Sequence, residues 1–285
     1  MKRLIVNADD FGLDENINNG IIKGYRDGFI TSTSIMPNAT YFKQAVKLAK
    51  ENPQLGIGIH LTLVGGLKPL TDLVKVKTLV DSKGLFYSNY IFFIKKYFLG
   101  KINKDEIRKE LEAQILSVLN EELNVTHVDS HQHLHVLPGI TEIVIDLCKK
   151  YNIKRIRLPL ESMCVAEKTN FFDLKRQIGK GGLNICSLLA KNLFDKNDFL
   201  YPKHFFGMLD GGNLNRENIA AFLKEAKNGT NEIMTHPGFD SNALNKKFGW
   251  DYNWENELKG FLDTKNKQSL KDFKIELVNF GDLNE

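Results

Sequence analysis

The stretch THVDSHQHLHVL, residues 126–137, holds four of the chain's seven histidines and a carboxylate in a dozen positions. Its opening, Thr126-His127-Val128-Asp129, alternates β-branched and polar residues, the period of a short strand that runs out into a polar loop. A helical pattern precedes it from Lys104 to Glu122 (KDEIRKELEAQILSVLNEE), and another follows Pro138 in PGITEIVIDLCKKY. Helix, strand, polar exit and helix make up the repeating unit of a parallel α/β protein, in which chemistry collects where strands end. Asp129, His131, His133 and His135 recur at spacing two, so an extended chain would turn all four to one side. A row of imidazoles beside a carboxylate is one way to hold a divalent metal. A solvated histidine-rich loop, or buried histidines bonded to backbone, is the plainer alternative. A terminal purification tag is excluded by the structured patterns on both sides.

Working outward, the rest of the chain repeats the same unit. RLIVN at 3–7 reads as a strand, followed by a helix from about Asp14 to Asp27 with Ile17, Ile21 and Ile22 on one face and Gly28 as its stop. TSTSIMP (31–37) is a second strand, YFKQAVKLAKE a helix ended by Pro53, and LGIGIHLTL (55–63) a third strand. Gly56 and Gly58 in that strand suit close approach by backbone or ligand. Later strands are expected at IKRIRLPLE (153–161), HFFGM (204–208), TNEIMTHPG (230–238) and IELVNFGDL, with a helix at NRENIAAFLKEAKNG capped by Asn213 or Asn215. Residues 64–100 break into glycine, proline and aromatic residues, an insertion that either covers substrate or simply packs. Residues 162–200 read as one or two helices, and 239–267, which contains both tryptophans, as a surface segment.

About seven βα units favour an α/β fold of the (β/α) TIM-like barrel type, irregular or incomplete, over a doubly wound sheet. No glycine-rich dinucleotide fingerprint follows the first strand. The expectation is one barrel domain over 1–285, with the insertion at about 64–100.

Composition narrows the function. A net charge of +4, with lysines in scattered pairs such as Lys95-Lys96 and Lys149-Lys150, argues against nucleic acid as a partner. No apolar run is long enough to cross a membrane, and the LIV of MKRLIVNADDFG is too short for a signal peptide, so a cytoplasmic protein is expected. Cys148, Cys164 and Cys186 are odd in number and lack CxxC spacing, which suits reduced, structural thiols.

In a parallel barrel, residues at strand ends meet although they lie far apart in sequence. Four groups qualify: Asn7, Asp9 and Asp10; His60; the 129–135 cluster; and His236. Each has an ordinary explanation alone, the Asp pair as a cap or turn, His60 as a satisfied core residue and His236 as a turn before Pro237. Together, two histidines and a carboxylate make a three-ligand site with positions left for water and substrate. A second carboxylate and a further histidine supply base and acid, the components of metal-assisted hydrolysis.

NADDFG (7–12), GIHLTL (58–63), HVDSHQHLH (127–135), RLPLE (157–161) and THPG (235–238), in this order, resemble the YdjC-like family of carbohydrate deacetylases, which includes the chito-oligosaccharide deacetylases. The resemblance implies a (β/α) barrel related to the polysaccharide deacetylase and glycoside hydrolase barrels. It also implies a divalent metal and removal of an N-acetyl group from an amino sugar or chito-oligosaccharide. Carried over residue by residue, it implies Asp10, His60 and His131 as ligands, Asp9 as base and His236 as acid, although adjacent aspartates can exchange their two roles. Asp129, His133 and His135 are candidates for orienting His131. Arg157 is a candidate for binding the sugar or fixing a carboxylate, against the plainer reading of a surface charge, and Phe86, Tyr87 and Tyr90 either stack on a sugar ring or pack in the core. The family implies magnesium, whereas two nitrogens and one oxygen suit zinc or another transition ion better. A small carbohydrate is the expected partner, and a homodimer the commonest assembly. The rival readings are a non-catalytic sugar- or metal-binding protein, a metal-dependent hydrolase of another amide or ester, and a non-haem iron oxygenase. The βα pattern disfavours the last of these.

Overall fold

Strand β1 (Lys2–Phe11) carries apolar residues at consecutive positions, and Leu4, Ile5, Val6, Ala8 and Phe11 are all buried because it is covered on both faces. The computed structural model describes residues 1–161, 174–208 and 210–284. Helix α1 (Glu15–Arg26) begins at Asp14, whose side chain accepts from the Asn16 N–H, and it packs Ile17, Ile21 and Ile22 inward. Next come β2 (Ser32–Ile35), α2 (Phe42–Lys50) and β3 (Gly56–Leu61). Residues 64–100 then hold a short turn at Leu73–Lys75 and α3 (Tyr90–Phe98), capped by Asn89. Helix α4 (Lys104–Leu119) leads to β4 (Val125–Ser130), and α5 (Ile140–Lys150) and α6 (Leu174–Lys196) follow. Cys164 lies outside the described residues.

The second half contributes β5 (His204–Phe206), α7 (Arg216–Glu225) and β6 (Gly229–Thr235). Asn215 is the α7 cap, which resolves the choice between Asn213 and Asn215. Residues 239–267 differ from the expected surface segment: they form α8 (Ser241–Phe248), α9 (Trp254–Leu262) and the start of α10 (Thr264–Asp272), and Trp254 is fully buried. Left-handed residues Asp240, Gly249 and Asp251 chop the segment into pieces too short for a visible period. Strand β7 (Ile275–Leu277) completes the sheet.

All the strand pairs are parallel, in the order β4-β3-β2-β1-β6-β5. β1 shares its β2 edge with β7, which pairs at Lys2–Leu4 while β2 pairs from Asn7 onward. Between the two outer strands the expected strand at 153–161 reduces to single bridges. Arg157 N–H donates to Val128 O, Ile156 N–H donates to Leu200 O, and Glu161 pairs with Phe205 of β5. Pro159 has no N–H to continue a ladder there. The result is a curled, incomplete (β/α) barrel, with the strand ends converging on one mouth.

Candidate active site

Asp9 and Asp10 are neighbours in β1, and in a regular strand their side chains would face opposite ways. The β1–β2 register slips between Ala8 and Phe11, and Asp10 has φ +66°, so both carboxylates reach one cavity. They meet different surroundings there.

Arg157 holds Asp9. Its Nη1 and Nη2 donate to the two Asp9 oxygens at 2.7 Å each, and Asn7 Nδ2 adds a bond to Asp9 Oδ1 at 2.9 Å. The same guanidinium lies 2.7 Å from Asp129 Oδ2 and donates from Nε to Glu232 Oε1 at 2.7 Å. Burial opposes the Arg157 charge, but Asp129, Asp9 and Glu232 outweigh it and keep the group protonated. Burial lifts Glu232 to about 7 against the pull of Arg157, whereas in Asp129 the lift from burial is overcome by Arg157 and His60, which hold it below the usual carboxylate range. Arg157 is fully buried and absent from the cavity lining. The expected sugar contact therefore gives way to the alternative reading, a clamp on carboxylates.

Asp10 has no guanidinium. His131 Nδ1 lies 3.1 Å and His60 Nε2 3.4 Å from Asp10 Oδ1, while Oδ2 is buried without a hydrogen-bond partner. Burial would raise Asp10, yet His131 and His60 bring it well below its ordinary value. One donor atom from each of Asp10, His60 and His131 falls within 4.8 Å of the others, a spacing compatible with one metal ion. Asp9, His60 and Asp129 also meet that criterion, but Arg157 already compensates both of those carboxylates. The orphan oxygen on Asp10 favours the first group. His60 Nδ1 bonds Asp129 Oδ1 at 2.8 Å, which leaves Nε2 toward Asp10. Burial acts to lower the His60 pKa, but the Asp129 charge and bonds to Asp10 and Asp129 drive it up to about 10.

The histidine run is not the extended row its spacing suggested. β4 ends at Ser130, and Gln132 and His133 take left-handed φ values of +57° and +55°. His135 turns away, bonding Ser130 Oγ at 2.7 Å and Arg157 O at 2.9 Å. Of the three residues expected to orient His131, Asp129 orients His60 instead, His135 serves backbone, and His133 faces the cavity beside Phe205. His127 lies beneath the site, stacked on Phe280 at 3.6 Å. His236 lines the cavity, its backbone N–H donating to Glu257 Oε2 at 2.5 Å.

The model of the YdjC-like protein family matches residues 3–272. This chain belongs to the YdjC-like family. It is 33% identical to a carbohydrate deacetylase of Thermoanaerobacter pseudethanolicus, over 99% of this chain and 100% of that one. It is 31% identical to a chitooligosaccharide deacetylase of Yersinia enterocolitica, over 99% of each. A crystal structure of an Enterococcus faecalis protein, provisionally named for cellobiose-phosphate cleavage, superposes with a TM-score of 0.78 at 25% identity and covers 98% of this chain and 97% of its own.

In this YdjC-like chain the cavity measures about 400 Å³. Its floor is Asp9, Asp10, His60, His131 and His236, and its walls include Tyr90, Ile94 and Phe98 of α3 and Leu183 and Cys186 of α6. Of the aromatics considered for stacking, Tyr90 reaches the cavity, whereas Phe86 and Tyr87 are buried in the core. Sequence reasoning missed Ser34, Glu232 and Glu257. Ser34 Oγ donates to Asp129 Oδ2, and Glu257 receives Thr235 Oγ1 as well as His236 N–H. A charged residue inside the apolar strand EIM was the available signal for Glu232; Glu257 and Ser34 look ordinary in sequence. No helix among the described residues is long and apolar enough to cross a membrane.

Proposed function

We propose that this YdjC-like chain is a metal-dependent hydrolase that removes the N-acetyl group from an amino sugar or chito-oligosaccharide. The observation that carries this reading is the pair of adjacent aspartates in one cavity, one saturated by Arg157 and the other short of a cation beside two imidazoles. The names of the relatives from Thermoanaerobacter and Yersinia support the substrate class.

Asp10, His60 and His131 would hold the ion, which when bound polarises water and the acyl carbonyl. Asp9, fixed in orientation by the Arg157 fork, accepts the proton of the attacking water. His236, on the same cavity floor, delivers a proton to the amine nitrogen as the C–N bond breaks, so that a poor leaving group departs neutral. Base and acid assistance are each worth roughly a hundred- to ten-thousandfold. Arg157 acts through Asp9 and Asp129, and Asp129 acts through His60; neither touches substrate in this scheme.

For the ion, family resemblance supports magnesium and the N, N, O donor set supports zinc or another transition ion. We further propose one catalytic domain over 1–285 whose 64–100 segment covers substrate, supported by the α3 side chains on the cavity wall. A cytoplasmic location is consistent with the free thiols of Cys148 and Cys186, and a homodimer with the exposed apolar side chains Ile91, Phe92 and Leu99. The test is acetate release from N-acetylated chito-oligosaccharides before and after chelation, then with zinc, magnesium, manganese or cobalt restored. Acetate that disappears on chelation and returns with one ion is the expected result. Protein that carries an ion yet releases no acetate overturns the substrate and leaves hydrolysis of another amide or ester to be screened. A non-catalytic binding protein is separated by Asp9→Asn, since a binder has no use for that carboxylate.

A further inference from the structure

His133 is the member of the histidine run left without a task. His127 is engaged by Thr126 Oγ1 at 2.9 Å and Ser34 Oγ at 3.3 Å, and His135 by Ser130 and the Arg157 carbonyl. His60 and His131 face Asp10. His133 is 9% exposed, lines the same cavity as the aspartates, and stands outside both groups of potential metal donors. Its ring is fixed edge-on against Phe205, with centroids 5.8 Å apart at 90°, and its Nδ1 is sealed off with no hydrogen-bond partner.

We infer that His133 contacts the substrate, donating a hydrogen bond from Nε2–H to a hydroxyl of the amino sugar bound in the cavity. This rests on the amino-sugar reading above. A buried N–H without an acceptor is rarer and costlier than a buried lone pair without a donor. Nδ1 therefore keeps its lone pair, and the ring proton belongs on Nε2, the nitrogen left to meet the cavity. The backbone supports the assignment. Left-handed φ at two successive non-glycine residues is unfavourable, and both residues, Gln132 and His133, line the cavity. Leu134, Leu137 and Met208 make the wall around them apolar, so a fixed donor there would orient a polyhydroxylated ligand.

Two variants keep the backbone. Asn tolerates the left-handed region, and its amide is too short to replace the imidazole; Gly prefers that region and opens space for free imidazole. With di-N-acetylchitobiose, His133→Asn and His133→Gly are expected to raise KM about three- to tenfold with kcat changed less than about twofold, the signature of a lost neutral hydrogen bond. Ion content should match the wild type, and free imidazole should restore the KM of His133→Gly. A deoxy analogue lacking the bonded hydroxyl should cost the wild type the same factor and the variants nothing further. Unchanged KM in both variants, or loss of the ion in place of substrate affinity, overturns the inference while an active wild type leaves the deacetylase reading standing. A wild type inert on every N-acetylated sugar removes both.

Discussion

Asp9 and Asp10 are identical side chains one residue apart, and the two halves of the cavity floor treat them oppositely. On the Asp9 side one guanidinium serves three buried carboxylates through short bonds. On the Asp10 side two imidazoles face one carboxylate that retains an unpartnered oxygen. The difference shows how a fold gives equal residues unequal surroundings: the chain supplies its own cation to one aspartate and leaves the other with an unpartnered oxygen.

The most severe test of this contrast is Asp10→Asn, which should abolish ion binding, measured by metal content after gel filtration, and lower acetate release about a thousandfold. Asp9→Asn should behave differently, retaining the ion while kcat falls about a hundred- to ten-thousandfold. If both variants lose the ion equally, the division of the floor is wrong. Arg157→Met should unbalance three buried carboxylates and cost about 3–5 kcal/mol of unfolding free energy, read from urea midpoints. A surface arginine would cost a few tenths of a kcal/mol in the same measurement.

A stability effect that appears only on acidification concerns the imidazoles below the floor. Burial holds His127 down to about 3 and His135 to about 4, against an ordinary value of 6.5. The unfolded chain therefore binds protons that the folded chain refuses, and stability present above pH 6.5 is lost as pH falls toward these values. Each histidine removes about 1.4 kcal/mol per pH unit within its window. Urea midpoints that stay level between pH 7 and pH 4.5 would show that these rings can charge in place.

Much of this was legible in the sequence because βα periodicity is local and strand ends converge in a parallel barrel. The strand-end groups at 7–10, His60, 129–135 and His236 could be brought together on that basis, and the family resemblance then singled out Asp10, His60 and His131. The partners of Asp129 and the fate of Arg157 were not legible, because they depend on which strand end faces which across the barrel. Arg157 sits in KRIR, a string that looks solvent-exposed until Pro159 and the bridges to Val128 and Leu200 turn it inward. The histidine run misled for a different reason: spacing two implies a shared face only while the chain stays extended, and it leaves the strand at His131.

The placement of β7 also has a consequence for folding. Because β7 fills the edge of β1 below β2, Lys2–Leu4 keep one edge open until residues near 275 are free to pair. The β1–β7 pairing joins residues 2–4 to residues 275–277. Its high contact order predicts slow final closure, with the edge of β1 open to mispairing in the interval. Released chains truncated before residue 275 should be more protease-sensitive at Lys2–Leu4 than chains that include β7.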